Sequence, residues 1–562
     1  MSCVNENGSR DYRLLPPALA LWLVAALRLS HILSLKFGLL IALSFLLIPV
    51  ALEIIRTRYS HSTPFTAWFT HMLSSQLAVT ALALVIMLIS CEVLLMNQRS
   101  DPLIQLVASS SQQASHHTVQ QTAHNSWRYS AQFATQRKKA STAREPVRIT
   151  FELTTPALAT AKKGFDCYAD ARALSLQRAQ IVTASSARIR IFATGALCQA
   201  GVAQVWSMPV KLSLPQYGNQ DAWAMKKEAK TSASTAQGSS SENSSASSST
   251  GSFAGSATQP LSYRVRAAPA FRTRIASLRT AFLRQTRKLP PTQAILVPGV
   301  TMGISGADVL SSHHADLHER EEELSQWFRE AGIIHLLAVS GGHLALIREW
   351  AKRRLACSRL WASMKVMISL ALVLACASLL FPSDSLLRAV VMACFTSVAL
   401  LRGRPAQSLS ALCWSVMGVL ICAPYLALSV GFAFSCAAVG GIILLAHHWA
   451  QLMSKTWLLR ALGFSAKSRE KLGESLALTM SAQVAILPVQ MLMLGQMGSS
   501  MLVAVLANFL VTPVVSVATI AGLLSLLTSW LLPWLGFAFA AVSGVCCEVM
   551  AWVAHFAVSL PH

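Results

Sequence analysis

Charge is scarce in this sequence: Asp, Glu, Lys and Arg make up 13% of its 562 residues, about half the share of an ordinary soluble domain. With 53% hydrophobic residues and a mean hydropathy of +0.48, the chain lacks the polar groups to cover a soluble surface over its whole length. Acids are the scarcer sign, 24 against 47 Lys and Arg, and the formal net charge of +23 disfavours basic partners. It implies an anionic partner, nucleic acid or acidic lipid headgroups, between which charge alone does not choose. There is no CxxC pair and no zinc-ligand spacing among the 12 cysteines, which removes the common structural-zinc and dithiol readings. No GxxxxGKS or GxxxxGKT loop is present to serve a nucleotide-driven motor. Internal repeats of the kind many secondary transporters carry are also missing.

What the sequence has instead is long apolar runs. Three open the chain, at Leu15–Leu33, Phe37–Ile55 and Gln76–Met96. Eight more fill the second half: Ala331–Ile347, Ser363–Phe381, Ser385–Leu401, Gln407–Ala423, Leu426–His447, Glu474–Leu494, Ser500–Leu527 and Trp534–Val558. Each is near the length that crosses a bilayer and ends in charge, proline or polar residues. The expected fold class is therefore a polytopic α-helical membrane protein of about eleven spans. The first run reads as a retained helix, because no small-residue cleavage site follows and a second run comes almost at once. The run around Ser340-Gly341-Gly342 is short and glycine-broken, and irregular backbone at membrane depth needs protein or a water-filled cavity around it.

Between the two groups, residues 97–298 are polar and carry 25 Lys and Arg against 8 acids. The segment Val147–Leu153 alternates apolar and polar side chains, as does Ala187–Ile191, the period of strands with one buried face. Short strands separated by turns suggest a small barrel. Thr231–Thr258 is almost entirely Ser, Ala, Gly and Thr and reads as a linker. Ala270–Lys288 intersperses Arg272, Arg274, Arg279, Arg284, Arg287 and Lys288 with Phe271, Ile275, Leu278, Phe282 and Leu283, the pattern of a basic amphipathic helix for a membrane surface or a nucleic acid.

Counting crossings from a cytoplasmic N-terminus puts Arg56 and Arg58, the cluster from Arg348 to Arg359, Arg402 and Arg404, and the group from Lys455 to Lys471 all on the cytoplasmic side. The basic middle region then lies outside, as long translocated domains can regardless of charge. Most cysteines sit in apolar runs as small packing residues. Cys167 and Cys198 fall in the external region, where an oxidising compartment would join them.

Four stretches, in order, resemble the ComEC competence family. Ala331 through His343 (AGIIHLLAVSGGH) is similar to its HLLAxSGxH signature, and Pro382–Ala389 (PSDSLLRA) to its P-S-x-x-R-A helix start. Val430–Ser435 (VGFAFS) is similar to VGFQLSF, and Ala482-Gln483, Pro488, Asn508 and Pro513 fit a pair of helices of the form AQ…PL…N…P. Gly342 and Ala433 depart from the usual Leu and Gln, and Ser429 stands where an acid is common. The resemblance implies a membrane channel that takes single-stranded DNA into the cytoplasm in natural transformation. It also implies an extracytoplasmic oligonucleotide-binding-like (OB-like) barrel at about 146–214, a competence-type channel domain over 299–562, and location in the cytoplasmic (inner) membrane. Partners so implied are single-stranded DNA, a separate DNA receptor, a motor ATPase and a separate nuclease; a homo-oligomer is compatible. Many family members carry a metallo-β-lactamase-like domain, but these residues hold no HxHxDH run. No metal, no cofactor and no enzymatic activity are therefore expected. A secondary transporter or exporter of an anionic lipid or polymer is the alternative that the spans and basic region would also suit.

Passing a polyanion through hydrocarbon requires a wet, polar or basic path. Arg388, just inside the start of a span, is the sharpest candidate, though an arginine there also snorkels to the interface. His335, Ser340 and His343 share one short segment and fit a cavity lining; with no acid evidently placed to orient either imidazole, they do not argue for hydrolysis. Gln483 and Asn508 fit a pore wall and ordinary helix packing alike. In the strand-rich region Lys162, Lys163, Arg172, Arg178, Arg188 and Arg190, with Phe165, Tyr168 and Trp206, form a basic and aromatic mix that would hold single strands, or would be a solvated face over core aromatics. His313, His314 and His318 precede an acidic stretch and read as a solvated helix face.

Overall fold

The chain is described by a computed structural model covering residues 12–30, 32–58, 64–107, 147–160, 164–178, 181–213, 215, 221–225, 263–306, 315–333, 341–405, 407–454, 466–494 and 500–559. The Thr231–Thr258 linker and His313 and His314 lie outside the described residues, as does the side chain of His318. The chain divides into two units, one of residues 1–97 and 274–562 and the other of residues 98–273.

The first unit is helical. Its N-terminal helices are α1 (Leu15–Leu29), α2 (Leu35–Arg58) and α3 (Pro64–Ser100). After the inserted unit come α4 (Ala270–Thr286), α5 (Pro291–Met302), α6 (Ala315–Glu330), α7 (Gly341–Ala356), α8 (Ala362–Leu379) and α9 (Asp384–Leu401). The last five are α10 (Ser408–Cys422), α11 (Val430–Ser454), α12 (Ala466–Leu494), α13 (Ser500–Thr528) and α14 (Pro533–Ser559). Seven helices among the described residues are long and apolar enough to cross a membrane, in α1, α3, α8, α9, α11, α13 and α14. Leu35–Phe45, Ser408–Cys422 and Ala477–Met491 are shorter apolar helices. This is a polytopic membrane protein. On α14 the exposed Trp534 and Trp552 stand 18 residues apart in sequence, about 27 Å along a helix, close to the hydrocarbon thickness that interfacial tryptophans bracket.

Small residues and hydroxyls set the packing, since lipid offers apolar helices no hydrophobic drive to associate. Ser525 Oγ donates to the Gly536 carbonyl at 2.7 Å and Ser543 Oγ to that of Ala518 at 3.0 Å, binding α13 to α14. A Cβ at Gly441 of α11 would meet the Ser481 carbonyl of α12 at 2.4 Å. Within α1 and α3, Arg28 and Glu92 form an ion pair, and Arg28 also donates from Nη1 to the Leu33 carbonyl at 3.4 Å.

Two elements stand outside the pattern of apolar runs. Helix α5 is only 12 residues long yet buried from Thr292 to Met302 except at Gln293; it ends on Gly303, whose φ of +83° is the left-handed conformation a glycine tolerates. Helix α4 is held by Arg279, which donates to the carbonyls of Ser378, Leu379 and Leu380 at 2.9 to 3.0 Å, at the end of α8.

The second unit is an eight-stranded sheet: β1 (Val147–Leu153), β2 (Leu158–Ala159), β3 (Cys167–Arg178), β4 (Ile181–Ala184), β5 (Arg188–Ala193), β6 (Val205–Ser213), β7 (Ala222–Met225) and β8 (Tyr263–Arg266). Pairing runs β1-β3-β5-β7-β6, and β6 pairs again with β1, antiparallel throughout except β5 with β7. Strict alternation turns Val147, Ile149, Phe151 and Leu153 inward and Arg148, Thr150 and Glu152 outward. The inner face joins Ile189, Ile191, Met208, Val210 and Leu212, with Ala169, Ala171 and Ala173 of β3. The buried carboxylate of Asp101 accepts from the backbone N–H groups of Leu103 and Ser186 and from Ser185 Oγ. Cys167 and Cys198 are joined by a disulfide, their Cα atoms 5.5 Å apart. This unit closes at Thr273, so α4 and α5 belong mostly with the helices, although the basic region of the sequence runs on to Pro298.

Candidate functional site

Three of the four family-like stretches meet at one polar cluster in the helical unit. Its centre is Arg388, in the second turn of α9 and only 2% exposed. Ser383 caps α9 by accepting from the Leu386 N–H at 3.2 Å, which fixes where the helix starts and hence the depth of Arg388. Arg388 Nε donates to Ser435 Oγ of α11 at 3.0 Å, and Nη1 approaches Met392 Sδ at 3.7 Å. A Cβ built on Gly341, the first residue of α7, would lie 3.0 Å from Nη2. Asp384, one helical turn before Arg388, is hydrogen-bonded instead to Ser429 Oγ, which also accepts from the Phe432 N–H at 3.3 Å. No carboxylate pairs with Arg388 among the described residues.

The charge balance of this cluster is lopsided. A guanidinium stays charged at any accessible pH, and burying it without an anion costs several kcal/mol. One hydroxyl and a thioether sulfur offset only part of that. The one nearby acid is engaged by Ser429, the position where the family pattern commonly has an acid. An arrangement that buries a cation and leaves it short of acceptors is suited to meeting a transient anion.

The remaining candidates are placed differently. Gln483 is 7% exposed on α12 and Asn508 is 2% exposed on α13. Asn508 Nδ2 donates to the Gly332 carbonyl at 3.3 Å, fastening α13 to the turn after α6. Neither hydrogen-bonds to Arg388 among the described residues. Pro488 and Pro513 lie inside α12 and α13. His335 and Ser340 lie outside the described residues; His343 belongs to the first turn of α7, and its side chain lies outside them.

In the sheet unit, Arg188 and Arg190 share the outward face of β5, but each already has an acid. Arg190 donates from Nε and Nη2 to the two Asp170 oxygens at 2.7 and 3.0 Å and stacks over Tyr168, 4.9 Å from the ring centre. Arg188 binds Asp221 through its backbone N–H at 2.8 Å and through Nη2 at 3.4 Å. Of the aromatics named with them, Tyr168 meets Phe192, and Trp206 packs partly buried against the core. Lys162 and Lys163 lie outside the described residues. Phosphate contact by either arginine would therefore compete with an ion pair, a fact that acids 20 and 33 positions away in sequence hide from any local reading. Exposed cationic groups in the sheet unit are Arg172, Arg178, Lys211, Arg264 and Arg266, and α4 adds Arg272, Arg274 and Arg284, with Arg287 just beyond its end.

Among the described residues no group of three or more His, Cys, Asp and Glu is placed to hold a metal ion. The family model described as Competence protein matches residues 315–562. No curated protein and no solved structure matches the chain.

Proposed function

Because residues 315–562 match the family model described as Competence protein, we propose that this protein is the membrane channel through which single-stranded DNA enters the cytoplasm during natural transformation. The observation that carries this is the convergence of the three family-like stretches on Arg388, a buried cation that no acid pairs with among the described residues. Hydrocarbon cannot solvate a phosphodiester backbone, so a channel for it needs fixed positive charge at membrane depth. A carboxylate partner would block that charge.

In this reading the helical unit crosses the cytoplasmic membrane about eleven times, and the sheet unit is an extracytoplasmic OB-like barrel. The exposed arginines of α4 make the first phosphate contacts, and Arg388 acts on the strand in transit. Energy and strand degradation come from a separate motor ATPase and a separate nuclease, and a separate receptor delivers the DNA.

The test separates capture from passage. Arg388→Gln should leave protein level and surface-bound DNA unchanged, while internalised, nuclease-protected DNA falls by an order of magnitude or more. Arg388→Lys, which keeps charge but loses the planar fork, should be intermediate. Wild-type import by Arg388→Gln at normal abundance would reduce Arg388 to an interfacial anchor.

A further inference from the structure

We infer that the hairpin of α7 and α8 carries a binding site for the headgroup of an anionic phospholipid, in the leaflet where α8 begins. Helix α8 is one of those long and apolar enough to cross a membrane, so its first residue, Ala362, marks a membrane surface. Helix α7 ends at Ala356, and a turn of residues 357–361 joins the two. Lys365 of α8 reaches back across that turn to the Ala356 carbonyl, its Nζ 3.4 Å away. The surface at which α8 enters the bilayer is therefore also where the last turns of α7 lie.

That surface is basic. Residues 348–365 hold six cations and one acid, Glu349. Lys352, Arg353 and Arg354 of α7 and Arg359 of the turn are exposed. Glu349 is already held by Arg353, its Oε1 3.0 Å from Nε, and Arg354 stands over the exposed Trp350, 6.0 Å from the ring centre. Lys352 and Arg359 have no ion-pair or hydrogen-bond partner among the described residues. The helices packed against α7 bring no acid to this end: α8 has none, and Asp384 of α9 lies one turn before Arg388, which meets the opposite end of α7 at Gly341.

Apolar surface continues from the cations along α8. Trp361, just before the helix, is 79% exposed. Met364, Met367, Ala371 and Leu374, three or four residues apart, form one exposed face of α8 below it. Such an arrangement suits a molecule whose charged group carries an acyl chain, with tryptophan at the level of the headgroups. The planar fork of Arg359 can hold phosphate oxygens, and Lys352 adds a point charge. A zwitterionic headgroup offers the same phosphate with its charge cancelled, so the surface selects by net charge.

Native mass spectrometry of the full-length protein in detergent, titrated with phosphatidylglycerol or phosphatidylcholine, reads the occupancy. Phosphatidylglycerol should bind more tightly than phosphatidylcholine. Replacing Lys352→Gln together with Arg359→Gln should lower the phosphatidylglycerol affinity roughly tenfold or more, for two cations lost beside a phosphate, and leave phosphatidylcholine binding unchanged. Arg402→Gln with Arg404→Gln, an exposed pair in the turn after α9, removes the same charge elsewhere and should leave phosphatidylglycerol binding as it is. Equal loss in the two double variants, or none in either, overturns the site. Should the first double variant fail to accumulate, Arg359→Gln alone, outside both helices, takes its place; a severalfold fall is expected, and undiminished binding overturns the site. A single-stranded oligonucleotide that displaces phosphatidylglycerol through the same two residues and binds more tightly assigns this surface to nucleic acid and overturns the lipid reading.

Discussion

Arg279 lies over the ring of Phe381, its guanidinium carbon 4.4 Å from the ring centre, while its N–H groups cap the carbonyl end of α8. A cation at a helix C-terminus is favourably placed for the dipole and satisfies carbonyls that otherwise lack donors. The most central arginine of the basic helix α4 is thus a fastening.

Arg279→Gln should destabilise the helical unit by about 2 kcal/mol, the scale of losing charged hydrogen bonds to carbonyls, whereas Arg284→Gln, at an exposed position of the same helix, should leave stability unchanged and weaken DNA capture. Unfolding midpoints and surface-bound DNA, measured on both variants, check the pair. Equal effects on stability would remove the distinction.

The Arg28–Glu92 pair should show strong coupling. Arg28 and Glu92 side chains are 11% and 17% exposed, and removing one partner of a buried pair typically costs about 3–5 kcal/mol because the other is left uncompensated. Glu92→Gln and Arg28→Gln should each lower protein abundance in the membrane, with the double replacement less damaging than the sum. A double-mutant cycle on unfolding in detergent measures this; additive effects would mean that the pair is not coupled.

Mass spectrometry under non-reducing conditions should recover Cys167 and Cys198 as one linked species. They enclose a separation of 31 residues, for which the loop-closure estimate gives about 3–4 kcal/mol of stabilisation. Replacing both by Ser should lower the stability of the sheet unit by that order, while the helical unit, whose cysteines are free among the described residues, keeps its reducing-agent-independent midpoint.

For topology, an impermeant thiol reagent applied from outside should label a cysteine introduced at Ser240 and fail to label one at Lys467. Labelling in the opposite pattern would invert the orientation drawn from the basic loops.

Much of the helical unit was legible from the residues because a bilayer forces each spanning segment to satisfy its own backbone, so apolar length nearly suffices. Seven such helices and three shorter apolar ones coincide with runs read from the sequence. Helix α5 was missed: at 12 residues it is too short to signal a span, and its burial comes from neighbours such as Gly522 of α13, whose Cβ would overlap Thr301. The strands around Ile149 and Ile189 were legible from alternation, which has meaning whenever one face is buried.

The sequence by itself determined that this is a multi-span membrane protein with a basic strand-rich insertion, because bilayer burial and strand alternation are written in local periods of hydrophobicity. It also determined which stretches resemble the competence family. Only the tertiary structure decided what each charge does. Arg190 is tied to Asp170, Arg188 to Asp221, Arg28 to Glu92 and Arg279 to the carbonyls of α8, while Arg388 meets Gly341 with no acid between them. Electrostatic roles depend on partners brought close by folding, and the positions that meet here are up to about a hundred residues apart along the chain.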